Sequence, residues 1–355
     1  MHPWGEEYPN GAGWSRTLTG LATGDWRRVA HRILRPWAVG CRPWLLALVY
    51  HAAVTTTIAR ALTAFATALL FALQGSLPPA SVDAAGAAPQ AALTAQQVVE
   101  RIKSQVGVPW QADTVDTFKA GDPATRVTGI AVTMMATLDV LQRAAKAGHN
   151  LIVTHEPTFF DHRDPTEPLE TARDSVFAAK MAFIKNHGLV VWRFHDHWHR
   201  RQPDGVQVGM LRALGWESQD GQAPMVVTRP QTTLARLAAD IRSRLGAHAL
   251  RVVGRSDLPV TKVALAPGAA GFALHRAALQ RDDVQVLVIG EAREWETVEY
   301  VDDAVAAGQE KALVIIGHIP SEQAGMEECA RWLKGFVTEV PVEFVPAADP
   351  FWEPK

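Results

Sequence analysis

Residues 151–160 read LIVTHEPTFF. Leu151–Thr154 is a short run of apolar and β-branched residues, the composition of a buried strand, and it ends directly in His155-Glu156-Pro157. The pattern recurs twice. Leu189–Phe194 follows a helical stretch at Phe177–Asn186, stopped by Gly188, and runs into His195-Asp196-His197-Trp198-His199. Leu313–Ile316 runs into Gly317-His318-Ile319-Pro320-Ser321-Glu322, where Glu322 is read as the start of the next helix. Strands buried on both faces need helices on either side, so these runs predict α/β layers. In such sheets chemistry gathers beyond the carboxyl ends of the strands, where these histidines and carboxylates fall.

The same alternation extends in both directions. Thr94 is placed to cap a helix through about Val106, with Val98, Val99, Ile102 and Val106 on one face. Thr128–Thr133 reads as a strand, and Thr137 as the cap of a helix with Leu138, Leu141, Ala144 and Ala145 inward, stopped by Gly148. Val206–Leu214 is a helix stopped by Gly215. After a polar break near Ser218–Pro224, a second set begins. It comprises strands at Val226-Val227, Leu250–Val253, Val260–Leu265, Val286–Ile289 and Val342–Val345, and helices at Leu234–Leu245, Val298–Ala307 and Met326–Leu333. Gly268-Ala269-Ala270-Gly271 lacks dinucleotide-loop spacing and reads as a tight strand-to-helix turn.

These elements divide the chain into an N-terminal extension, 1–93, and two α/β subdomains, 94–220 and 221–355, the second ending in the His318–Glu322 motif. The extension has a different texture: the first lysine of the chain is Lys103. Ala61–Leu73 is apolar, follows Arg60 and is too short to cross a bilayer comfortably, which takes ~20 residues. It fits the apolar region of an export signal, with Ala85-Gly86-Ala87 as a cleavage pattern, so that 54–88 is read as signal and spacer. A buried helix, or an anchor formed with Pro43–Ala59, is the other reading. A signal belongs at a true N-terminus, so Val54 is read as the initiator and 1–53 as lying outside the natural protein. On this reading the protein is exported or periplasmic; without the signal it is cytoplasmic. The net charge of -2 gives no basic excess for nucleic acid. The two cysteines, Cys41 and Cys329, form no C-x-x-C, which removes zinc ribbons and thioredoxin-type sites.

Imidazoles mixed with carboxylates suit Zn, Mn, Fe, Co or Ni and not an all-oxygen calcium cage. A single histidine at a strand end is ordinarily a cap or a surface residue; three such clusters make a metal site the better reading. Glu291, after Val286–Gly290, is read either as a general base or as a carboxylate at a helix N-terminus. Arg193, Arg200 and Arg201 are read as anion ligands or as solvated surface charges. Asp161-His162-Arg163-Asp164 is either a loop over the site or a polar turn.

Over residues 95–352 the sequence resembles the Nif-3-like proteins, also called GTP cyclohydrolase 1 type 2 homologues. LIVTHEPTFF, the strand entering HDHWH, GVQVGMLRALGW at 205–216 and GHIPSEQAGMEECARWL at 317–333 carry the resemblance. It implies a two-subdomain fold with mixed sheets and helices packed on them, a dinuclear metal centre and a homohexamer. The usual ligands of that family are two adjacent histidines, an aspartate after the next strand, then a histidine and a glutamate near the end. Here they map to His155, Glu156, His199, His318 and Glu322, with Glu156 in place of a histidine and His199 in place of the aspartate. The two exchanges compensate, leaving three imidazoles and two carboxylates for two divalent ions. Asp196 is the alternative ligand, with His195 or His197 then supporting it from behind. The implied function is a metal-dependent hydrolase acting on a nucleotide-like or phosphorylated small molecule. The alternative is a metal-binding or regulatory scaffold without turnover.

The export reading has a direct check. Mass spectrometry of the protein from its native cells should find a start near Ala84–Gln90. A chain beginning at Met1 in the cytoplasm would overturn both the signal and the Val54 start.

Overall fold

The computed structural model describes residues 93–217, 225–352 and 354. The expected signal at Ala61–Leu73, the Val54 start and Cys41 lie outside the described residues. Among those described, no helix is long and apolar enough to cross a membrane.

The first layer begins with helix α1 (Ala95–Gln105), whose Thr94 makes a full capping box with Gln97. Strands β1 (Phe118–Ala120) and β2 (Ile130–Thr133), helix α2 (Leu138–Lys146) and strand β3 (Leu151–Thr154) follow. Helices α3 (Glu167–Thr171) and α4 (Ser175–Asn186) lead to β4 (Val190–Arg193), α5 (Asp196–Arg200) and α6 (Gly205–Leu214). The second layer runs β5 (Met225–Thr233), α7 (Leu234–Leu245), β6 (Arg251–Val253), β7 (Pro259–Ala266), α8 (Phe272–Leu279) and β8 (Val286–Ile289). A π-helical turn (Glu294–Val298), α9 (Glu299–Ala306), β9 (Ala312–Ile315), α10 (His318–Lys334) and β10 (Val342–Phe344) complete it.

Two five-stranded sheets result, in the orders β1-β4-β3-β2-β10 and β5-β7-β8-β9-β6. The inner strands are parallel and β1, β5 and β6 are antiparallel edges, which makes both sheets mixed. Strands β1–β4 belong to the first sheet and β5–β9 to the second. β10 then returns to the first sheet and pairs in parallel with β2, Val342 opposite Ile130. In the second sheet the strand period of two sends Val263, Leu265, Val286 and Val288 to one core and Ala264, Ala266, Leu287 and Ile289 to the other.

Register sets the height at which the strand-end residues emerge. Thr154 is level with Thr133 and Arg193, so His155 and His195 leave the first sheet side by side. Ile289 is level with Ile315, which does the same for Glu291 and His318. Helix α10 begins at His318 rather than at Glu322, because Gly317 turns the chain at φ 93, a backbone that favours glycine. His318 and Glu322 therefore lie one turn apart on the same helix face.

Helix α10 lays Met326, Cys329, Ala330 and Leu333 into the core of the first sheet, where Cys329 packs as a small apolar residue. Leu138 departs from expectation: it is 37% exposed, and Val140 takes the inward position with Leu141 and Ala144. α10 and α6 approach closely through two glycines. A Cβ on Gly209 would lie 2.3 Å from the Ala324 carbonyl oxygen, and one on Gly325 would lie 2.5 Å from Val206 Cα. Gly209→Ala should therefore destabilise the protein by about 1–3 kcal/mol through overpacking, read as a lower urea midpoint. A midpoint equal to the wild type would show that the contact yields.

Candidate metal centre

The structure brings His155, Glu156, His199, His318 and Glu322 together and adds His195. His155 Nε2 lies 3.1 Å from His199 Nε2 and 3.6 Å from Glu322 Oε2. His318 Nε2 lies 3.1 Å from Glu322 Oε2 and 3.4 Å from Glu156 Oε1. His195 Nε2 lies 3.6 Å from Glu156 Oε1. Two groups of donors are compact enough to hold a cation, His155 with His195 and His199, and His155 with Glu156 and Glu322. They share His155.

The outer nitrogens decide the tautomers. Nδ1 of His155 faces the Phe194 carbonyl at 3.2 Å, that of His195 faces Asp196 at 2.9 Å and that of His199 faces Asp204 at 2.9 Å. Nδ1 of His318 is 3.5 Å from Glu291. Each partner is an oxygen that accepts, so Nδ1 carries the proton of each neutral ring and Nε2 faces inward. This is the arrangement that orients metal-bound imidazoles. It brings Nε2 of His155 and Nε2 of His199 within 3.1 Å, a contact that takes a proton or a cation between them. The donor set thus fits a transition-metal or zinc ion. Gly268 contributes room: at φ +67, a Cβ there would come within 2.2 Å of Glu322 Oε1.

Electrostatics decide which of these rings hold a second proton when no metal is bound. Burial pushes His155 well below the ordinary histidine range, aided by His195 and His199. Burial also opposes charge on His199, but the Asp204 hydrogen bond and charge, with Glu322 and Glu156, outweigh it and raise it to about 9. At His318 burial is again outweighed, by Glu156, Glu291 and Glu322, and the group rises to about 12. Glu156 is held below the usual carboxylate range against its own burial, chiefly by the His318 hydrogen bond. The carboxylates of this pocket call for positive charge.

Asp116 holds the middle cluster in place. Its Oδ1 accepts the backbone N–H of His195 at 2.6 Å and of Asp196 at 2.9 Å. Its Oδ2 accepts the N–H of His197 at 2.9 Å and the ring Nδ1–H of the same residue at 2.7 Å. The His197 ring stacks on Trp110, centroids 3.6 Å apart, and its Nε2 accepts the Gln111 N–H. His197 therefore staples the loop and faces away from the centre. Asp196 is turned away as well, Oδ1 on His195 and Oδ2 on Thr114 and Val115. The alternative assignment is reversed by this geometry: His195 points inward and Asp196 supports it.

The arginines divide. Arg193 is neither a substrate ligand nor a surface charge. It is fully buried, donating to the carbonyls of His155 and His162 and lying 3.4 Å from Glu156 Oε2. Arg201 lies over the rings of Trp198 and Trp332, and Arg200 is exposed. Glu291 does not open a helix, since the π-helical turn starts at Glu294. Its carboxyl is held below the usual range, first by the His318 hydrogen bond. Of the residues the sequence reading missed, Asp204 had a visible signal, an Asp-Gly step ahead of an apolar helix; it caps α6 through Val206 and Gln207. Asp116, far away in sequence, had none.

A family model described as Duf34/NIF3 (NGG1p interacting factor 3) matches residues 93–350. A Clostridium perfringens protein named GTP cyclohydrolase 1 type 2 homolog is 22% identical over 245 residues, 65% of this chain and 88% of that protein. A crystal structure of a Staphylococcus aureus protein superposes with a TM-score of 0.57 at 18% identity, covering 74% of this chain and 99% of its own. The Bacillus cereus protein related to NIF3 gives 0.59 at 14% identity, covering 73% and 99%. At these identities the solved structures speak for the fold.

Removing the Asp116 carboxylate should orphan four N–H groups, two of them fully buried. Asp116→Ala is expected to cost on the order of 3 kcal/mol or more, and Asp116→Asn less, because one oxygen remains. Urea denaturation of the two variants checks the order; equal stability of Asp116→Ala and wild type would contradict the clamp.

Proposed function

Because the chain belongs to the Duf34/NIF3 family and carries His/Glu groups that could hold metal, we propose that it is a metal-dependent hydrolase of small molecules. The observation that carries this reading is the pair of inward Nε2 atoms 3.1 Å apart at His155 and His199, with Glu322 Oε2 3.6 Å from His155 Nε2. The proposed ligands are His155, Glu156, His195, His199, His318 and Glu322, for two divalent ions drawn from Zn, Mn, Fe, Co or Ni. Such ions would supply Lewis-acid polarisation of a substrate oxygen and of water.

The chain's own residues do the rest. Arg193 fixes the carboxylate of Glu156 and the carbonyl of His155, so both ligands hold one geometry. Asp204, Asp196, Glu291 and the Phe194 carbonyl each hold one ring by Nδ1. Glu291 is also the carboxylate left over at the rim: it is 56% exposed on its side chain and is assigned proton transfer to and from the substrate. The substrate class is a nucleotide-like or phosphorylated molecule, in line with the name of the Clostridium perfringens relative. Assembly as a homohexamer belongs to the same proposal.

Two substitutions separate holding metal from using it. Glu322→Gln should lose bound metal and all metal-dependent turnover. Glu291→Gln should keep the metal and lose about a hundredfold in kcat, the range for one proton-transfer group. Elemental analysis beside a phosphoester and cyclic-amide hydrolase screen reads both. Metal bound with no turnover across that screen would favour the scaffold reading.

A further inference from the structure

A cavity of about 460 Å³ opens beside Glu156, a size suited to a small molecule. Its walls are apolar: Met135, Leu138, Pro157, Phe160 and Val176. Three of these are left in solvent, Leu138 at 37%, Phe160 at 64% and Val176 at 62%. Single exposed apolar side chains are ordinary. These three come from different elements, α2, the loop after β3 and the start of α4, and meet at one cavity that borders the metal centre. The inward helix positions are already filled by Val140 and Leu141 on α2 and by Phe177 on α4.

The loop that presents Phe160 is built to do so. Phe160 has φ 68, a left-handed backbone that a bulky side chain rarely takes. Asp164 accepts the Phe159 N–H at 2.6 Å and pairs with Lys119 at 3.7 Å, both side chains buried. Lys180, also buried, donates to the Thr158 carbonyl at 2.6 Å and sits 5.4 Å from the centroid of the Phe160 ring. An ammonium has three donors, and one is engaged by that carbonyl. Among the described residues, Lys180 is also the lone lysine or arginine of the lining, which includes two acids, Glu156 and Asp161. Arg193 is committed to His155, His162 and Glu156.

We propose that this cavity binds a flat, largely apolar ring of the substrate. One anionic or carbonyl oxygen would lie on Lys180, with the reacting group passing Glu156 into the metal centre. The proposal rests on the hydrolase reading and narrows it: a ligand with at most one anionic group fits, whereas a polyphosphate meets one cation and two carboxylates.

Two fluorescent probes test it on the full chain, anilinonaphthalenesulfonate, an aromatic monoanion, and phenylnaphthylamine, a neutral aromatic. Both should bind the wild type at about one per chain. Val176→Asp and Leu138→Asp, at exposed positions, should weaken both by about tenfold, the effect of a charge set into an apolar contact. Lys180→Met should weaken the monoanion by about tenfold and leave the neutral probe nearly unchanged. Metal content should stay at the wild-type level in all three. Wild-type probe affinity in both aspartate variants, or equal effects of Lys180→Met on both probes, would overturn the proposal. So would absence of probe binding together with dissociation of an oligomer in the aspartate variants, which would make the cavity a subunit contact. The probes need no metal, so a wild type that binds them but holds no metal would count against the hydrolase reading and not against the cavity.

Discussion

Two imidazole nitrogens, Nε2 of His155 and of His199, face each other at 3.1 Å with their outer nitrogens already donating. In water two neutral rings so placed would turn apart unless a proton or a cation lay between them. Here neither ring is free to turn. His155 is fully buried with its Nδ1 on a strand carbonyl, and His199 is tied to Asp204, which also caps α6. Much of the fold serves to keep that contact closed; a proton on His199, favoured by Asp204, satisfies it, and a metal ion would take that proton's place.

Three devices hold it. Parallel register puts the ends of β3 and β4 at one height, which brings His155 beside the loop that carries His195 and His199. Asp116 then gathers three consecutive N–H groups of that loop onto one buried carboxylate. Helix α10 starts at the end of β9 in the second sheet but packs in the core of the first. It thereby carries His318 and Glu322 across to meet Glu156. The glycine contact between α6 and α10 fixes how far it reaches. A cluster drawn from both sheets depends on the packing of both, so damage at Gly209 or Asp116 acts on the centre without touching a ligand.

Much of this could be read from the sequence because the signals were local. Apolar runs ending in His155, His195 and His318 announced the strand ends, and Thr94, Thr137 and Gly215 marked helix boundaries where they occur. What escaped depended on distant partners. β1 is three residues long and owes its existence to pairing with β4. β10 looked like the last strand of the second layer because nothing in Val342–Val345 says which sheet it joins. Arg193 read as an anion ligand or a surface charge because its acceptors lie in two separate loops. Choosing between His195 and Asp196 required knowing where Asp116 and Thr114 stand. Leu138 read as core because spacing alone cannot distinguish a core face from the wall of a cavity.

Anomalous X-ray scattering from crystals grown without chelator would locate any ion in this cluster. Peaks are expected within bonding distance of His155, His199 and Glu322, with the four Nδ1 contacts unchanged. Crystals with no anomalous peak in this cluster, and with the His155 and His199 rings turned so that one Nε2 donates to a carboxylate, would contradict a metal centre here.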